Sequence, residues 1–157
     1  PFGFEMGKTV ASQLPRCAEV DGSRQCVELT ETQGTLQVYQ LRQARNILGG
    51  VPQSVHVVEG SQGIEQVQVA FPIQTAQRVK ALLQAAFGEP SAVMDDELML
   101  NDLAVPTHFQ HWVLEDGVIT LQVSDSDSGE AYALIRTPED FQRVLKPAVS
   151  ATAQWSI

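Results

Sequence analysis

Lysine is almost missing from this chain: Lys8, Lys80 and Lys146 are the only three. With arginine, the basic residues number 10 against 19 acids, a formal net charge of −9. A surface of that sign repels phosphate backbones and anionic headgroups, so nucleic acid and membrane surfaces are poor partners. Cysteine is rarer still, with two residues. No histidine lies at a matching spacing, so the four ligands of a structural zinc site are not assembled. No apolar run approaches the roughly 20 residues of a membrane-crossing helix, and no transmembrane segment is expected. The sequence shows no signal-peptide pattern and starts at Pro1, from which a processed chain is expected.

What is present fits a folded protein. The 157 residues are 43% hydrophobic and 18% charged, which predicts a single globular domain over 1–157 with a real core. Seventeen glutamines give much of the surface a neutral, hydrogen-bonding character compatible with export.

Both cysteines fall in RCAEVDGSRQC, from Arg16 to Cys26. Asp21-Gly22 is a strong two-residue hairpin signal, because both central positions of a type I′ turn need positive φ. Around that turn Glu19 faces Arg24, and Cys17 faces Cys26 at a non-hydrogen-bonded pair. There the Cα atoms approach to roughly 4.5 Å, within reach of a disulfide. Ala18, Val20, Val27 and Leu29 fall on the other face and are expected in the core. A redox pair needs Cys-x-x-Cys, whereas eight residues intervene here. A Cys17–Cys26 staple is therefore expected, and with it an oxidising compartment, periplasmic or secreted.

Elsewhere, Lys8 to Leu14 is predicted to form one or two helical turns, stopped by Pro15. GTLQVYQL alternates as a strand, and RQARNIL is read as a helical turn before Gly49-Gly50. SVHVVEG and IEQVQVAFP form a hairpin around Ser61-Gln62, with a bulge or change of face in the second strand. Thr75 is the predicted N-cap of a helix to Phe87, whose apolar stripe is Val79, Leu82, Leu83, Ala86 and Phe87, with Gly88 at C′. SAVMDDELMLNDLAVPT has no clean period and reads as a long excursion. HFQHWVLEDG, VITLQVSD and EAYALIRT are three further strands, and PEDFQRVLK a closing helix. The resulting fold class is α+β: an antiparallel sheet of about six to eight strands with two or three helices packed on one face.

The opening PFGFEMGKTV…LPRC, the strand ending in FP, the helix ending LLQAAFGEPS and the W…DGVITL hairpin resemble small exported proteins of Gram-negative bacteria. The resemblance covers most of the chain except the excursion around Asp95. The repeated helix-plus-strands layout is also similar to β-lactamase inhibitor proteins and small outer-membrane assembly lipoproteins. Both resemblances imply an exported protein and neither brings a catalytic residue.

Candidate chemistry is sparse. On a strand, His108 and His111 point to opposite faces and cannot chelate one ion, so no metal site is expected. DSDSGE starts like a calcium loop, but Arg136 stands where the bidentate glutamate belongs, and a hairpin turn is expected instead. Ser61 lacks the Gly-x-Ser-x-Gly spacing of a nucleophile elbow. Phe71, Phe87, Trp112 and Tyr132 are expected in the core. The acids Asp95, Asp96, Glu97 and Asp102 lie among Met94, Leu98, Met99 and Leu100, the mixture of a solvated loop or of a protein-contact loop. The expected function is therefore non-catalytic and cofactor-free. Met94, Asp95, Asp96, Glu97, Met99 and Asp102 would bind a protein partner in the cell envelope. The alternatives are a periplasmic inhibitor or immunity protein that blocks a basic cleft, or a small hydrolase.

Overall fold

The computed structural model describes residues 4–21, 23–100, 102–125 and 129–137. Its strands are β1 (Cys26–Gln33), β2 (Leu36–Arg42), β3 (Ser54–Gly60), β4 (Gly63–Pro72), β5 (Ala92–Leu100), β6 (Leu103–Leu114), β7 (Gly117–Ser124) and β8 (Glu130–Arg136). All eight pair antiparallel in one sheet of order β1-β2-β3-β4-β8-β7-β6-β5. Each half is a four-stranded meander, and the two fourth strands meet at the centre. The one α-helix among the described residues, α1 (Ala76–Phe87), carries the chain from β4 across to β5.

Strand alternation decides the core. Leu41, Val55, Val69, Phe71, Leu121 and Trp112 belong to one buried cluster, joined by Val79 of α1. The N-terminal segment adds Val10 and Leu14 to it, and the loop after β2 adds Leu48 and Val51. Burying one such side chain is worth about 1.5–3 kcal/mol, so this cluster is the main attraction holding the segments to the sheet. The C-terminal meander also buries Phe109, His111, Thr120 and Leu134, which lie on the opposite face by strand alternation.

The N-terminal segment is stitched on through backbone. Gly7 N–H donates to Ile64 O and Ile64 N–H to Lys8 O, both at 2.9 Å, while Val10 N–H donates to the Glu59 carboxylate. Gly63 permits this approach: its φ is +92°, and a Cβ there would sit 2.7 Å from the Gly7 carbonyl. The β3–β4 hairpin also carries the expected irregularity, a register shift between Val58 and Glu59.

The expected two or three helices on one face are not shown; among the described residues one α-helix packs on an eight-stranded sheet. Over Lys8–Leu14 only one turn closes, with Leu14 N–H on Val10 O at 2.9 Å. Nucleation is costly and Pro15 allows no further turns to offset it. The helical turn expected in RQARNIL is displaced by Asn46, whose Oδ1 accepts from Leu48 and Gly50 N–H and whose Nδ2 donates to Val51 O. The closing helix PEDFQRVLK lies outside the described residues. α1 itself ends as expected, Gly88 taking φ +81° and donating to Gln84 O. Its apolar stripe is only half used: Val79 is buried, whereas Leu82 and Phe87 are exposed, which corrects Phe87 as a core aromatic.

The cysteine hairpin also needs correcting. Cys17–Glu19 is a 3-10 turn rather than a strand, so Glu19 does not face Arg24 across a ladder. Asp21 instead accepts from Ser23 N–H at 2.9 Å, a local Asx turn that competes with the hairpin. The disulfide still forms, with Cα atoms 4.9 Å apart, because Arg16 bridges Val27 in parallel and brings Cys17 beside Cys26. Of the four apolar residues expected in the core, only Val27 is buried.

Candidate functional site

The segment read as a loose excursion is an edge strand and the hairpin that follows it. Met94, Asp95, Asp96, Glu97 and Met99 all lie on β5, and Asp102 turns the chain into β6 with φ +66°. Alternation puts Asp95, Glu97 and Met99 on one face and Met94 and Asp96 on the other. The structure thus brings the six residues onto one hairpin, but not onto one face.

Most of β5 is paired only to β6, from Ala92 opposite His111 to Leu100 opposite Leu103. β7 joins β6 only from Thr107, opposite Ser124. Asp125 N–H donates to Pro106 O at 2.8 Å at the root of the remainder. Four pairs, Glu97 with Pro106 to Leu100 with Leu103, therefore run on as a two-stranded arm among the described residues. At about 3.4 Å per residue the arm is roughly 13 Å long. Its apolar residues are open to solvent: Met99 is 67% exposed and Leu103 68%.

At the root of the arm lies a hollow of about 460 Å³. Ile73, Pro106, Val123 and His108 line it, with Asp95 and Asp125 also bordering it. His108 Nδ1 lies 2.6 Å from Asp95 Oδ1 across the β5–β6 ladder, and its Nε2 is 3.3 Å from Gln110 Nε2. The pair is exposed, which makes it a surface link rather than a strong tether. A carboxylate–imidazole pair is half of a nucleophile-activating device. The hydroxyls beside it, Thr107 and Ser124, are 3.0 Å from each other and belong to the opposite face, so the device is not completed by them.

His108 and His111 do point apart, as the spacing required. His111 is buried with Nδ1 2.8 Å from Thr120 Oγ1, and burial, helped by the Arg136 charge, pushes its imidazole down to about 4. No group of three or more metal-ligating side chains occurs among the described residues. DSDSGE joins β7 to β8; its central residues lie outside the described set, and Gly129 takes φ +79°.

Sequence reasoning missed Leu103 and the Asp95–His108 pairing. A signal was there. Asn101-Asp102, two residues that tolerate the left-handed region, stands between Leu-Met-Leu and Leu-Ala-Val. No known family model matches the chain, and no curated protein or solved structure shows significant similarity to it.

Proposed function

We propose that this chain is an exported, non-catalytic protein that binds a protein partner in the cell envelope through the β5–β6 hairpin, its arm together with the acids at the arm's root. One observation carries the contact: a hairpin that outruns its sheet exposes Met99 and Leu103 beside Asp95, Asp96 and Glu97. Exposed apolar area rimmed by like charge draws an oppositely charged partner by long-range attraction and holds it by apolar burial. The disulfide supports an oxidising compartment, periplasmic or secreted, and among the described residues no helix is long and apolar enough to cross a membrane. The arm's projection also suits the inhibitor variant of the same function, in which an acidic finger enters a basic cleft.

The test is a pull-down from envelope extract at low salt, with the triple variant Asp95→Ser, Asp96→Ser, Glu97→Ser in parallel. The parent captures a basic partner that a high-salt wash releases, and the triple variant does not. Equal capture by both would move the contact to the glutamine-rich strand faces.

A further inference from the structure

An edge strand offers more than side chains. Every second residue of an antiparallel edge turns its amide and carbonyl away from its one neighbour, leaving a row of donors and acceptors ready for another strand. In β5 that row runs straight, since the register with β6 continues from Ala92 to Leu100 without a shift. The other edge is closed in three ways. β1 has a bulge between Leu29 and Glu31, a disulfide at Cys26, and the chain at Pro15–Arg16 lying against it, with Val27 N–H donating to Pro15 O at 3.0 Å. Among the described residues one edge is capped and one is left open.

Charge selects what the open edge accepts. A second copy pairing antiparallel about Asp96 would set Asp95 against Glu97 twice and Asp96 against its own counterpart. Like charges directly opposite destabilise a ladder, so β5 rejects itself. A strand with lysine or arginine at those positions turns each repulsion into attraction. Val93 and Met99 flank Asp95 and Glu97 on the same face and are more than half exposed, so they call for apolar residues at both ends of the incoming strand. The hollow below, with Ile73, Pro106 and Val123 as apolar wall and Asp95 at its border, fits the aliphatic stem of a basic side chain with its charge at the mouth.

We infer that β5 is a strand-addition site for an extended basic segment of another protein. The segment carries lysine or arginine opposite Asp95 and Glu97 and apolar residues opposite Val93 and Met99. Backbone hydrogen bonds to β5 supply affinity, and the alternating side chains supply selection. This rests on the β5–β6 hairpin being the contact surface, and deepens it by fixing the chemistry and conformation of the partner.

The experiment uses the full chain and three synthetic peptides, with hydrogen exchange and a binding titration as readouts. One peptide has the order Val-Thr-Lys-Thr-Lys-Thr-Val, which sets valine, lysine, lysine and valine on one face; the second replaces lysine by glutamate, and the third is the first with every backbone amide N-methylated. The lysine peptide binds and slows exchange at amides within Ala92–Leu100. N-methylation weakens binding by about tenfold or more although the charge is unchanged, because the ladder bonds are lost. The glutamate peptide does not bind. Equal binding of the methylated peptide, protection confined to other strands, or a dimer of the unliganded chain in sedimentation would each overturn strand addition. The two levels separate cleanly with the captured partner. If the triple serine variant keeps that partner, the β5–β6 hairpin is not the contact surface. If it loses the partner while β5 amides in the parent complex exchange as fast as in the free chain, the hairpin stands and strand addition falls.

Discussion

The two edges of this sheet face the same physical hazard and meet it differently. β1 ends the N-terminal meander and is shielded by covalent and backbone means: a disulfide, a bulge whose Thr30 hydroxyl donates to Val38 O, and a crossing segment bonded to Val27. β5 ends the C-terminal meander with a straight nine-residue strand, and among the described residues only its carboxylates protect it. Carboxylates exclude another acidic edge but not a basic one. A bulge or a covering chain excludes any strand, whereas charge excludes selectively, and selectivity is what a binding edge needs.

The largest effect that separates the halves should come with acid. His111, buried in the C-terminal meander, titrates near 6.5 when unfolded and at about 4 when folded. Stability is whole above pH 6.5 and declines as pH falls towards 4, because only the unfolded chain takes up that proton in between. The loss is roughly 3 kcal/mol. In urea melts across this range, His111→Gln should flatten that part of the slope, and an unchanged slope would remove His111 as its source. Hydrogen exchange at pH 4.5 should show β5–β8 losing protection before β1–β4. Simultaneous loss would make the sheet one cooperative unit.

Next comes the closed edge. Replacing Cys17 and Cys26 by serine frees a short loop in the unfolded chain and should cost about 2.5 kcal/mol. Val27 amide exchange should accelerate while β5 amides keep their rates. Gly63→Ala strikes the other anchor of the N-terminal segment, where a left-handed φ and the Gly7 carbonyl both exclude a Cβ. The expected cost is about 2 kcal/mol by thermal melting, and a neutral result would show that the segment shifts freely.

The smallest effect on stability belongs to the open edge. Asp95→Ser, Asp96→Ser and Glu97→Ser together should leave Tm nearly unmoved, since exposed substitutions usually stay within about 0.5 kcal/mol each. The same variant should begin to self-associate in sedimentation, because the charge that keeps β5 from pairing with its copy is gone. A triple variant that stays monomeric would show that something other than charge protects this edge.

Much of the sheet was legible in the sequence. GTLQVYQL, the SVHVVEG/IEQVQVAFP hairpin with its irregular second strand, and the last two strands appear where expected, whereas the strand read from His108 starts five residues earlier, at Leu103. β5 was not legible, because its acids and apolar residues mix on both faces, as an edge strand allows when neither face is fully buried. The six candidate residues were singled out from composition, but their placement on one hairpin depended on the chain turning back at Asp102.

The sequence by itself determined the local matters: where alternation runs, where Gly88 ends the helix, that His108 and His111 point apart, and that two cysteines close in sequence are joined. Those follow from backbone period and short chain separation. Tertiary structure alone decided which strands became edges, that Arg16 would bridge Val27 where a cysteine hairpin was expected, and that the described residues would cover one edge and not the other. Such outcomes depend on competition between segments far apart in sequence for the same hydrogen bonds and the same apolar surface, which no local pattern records.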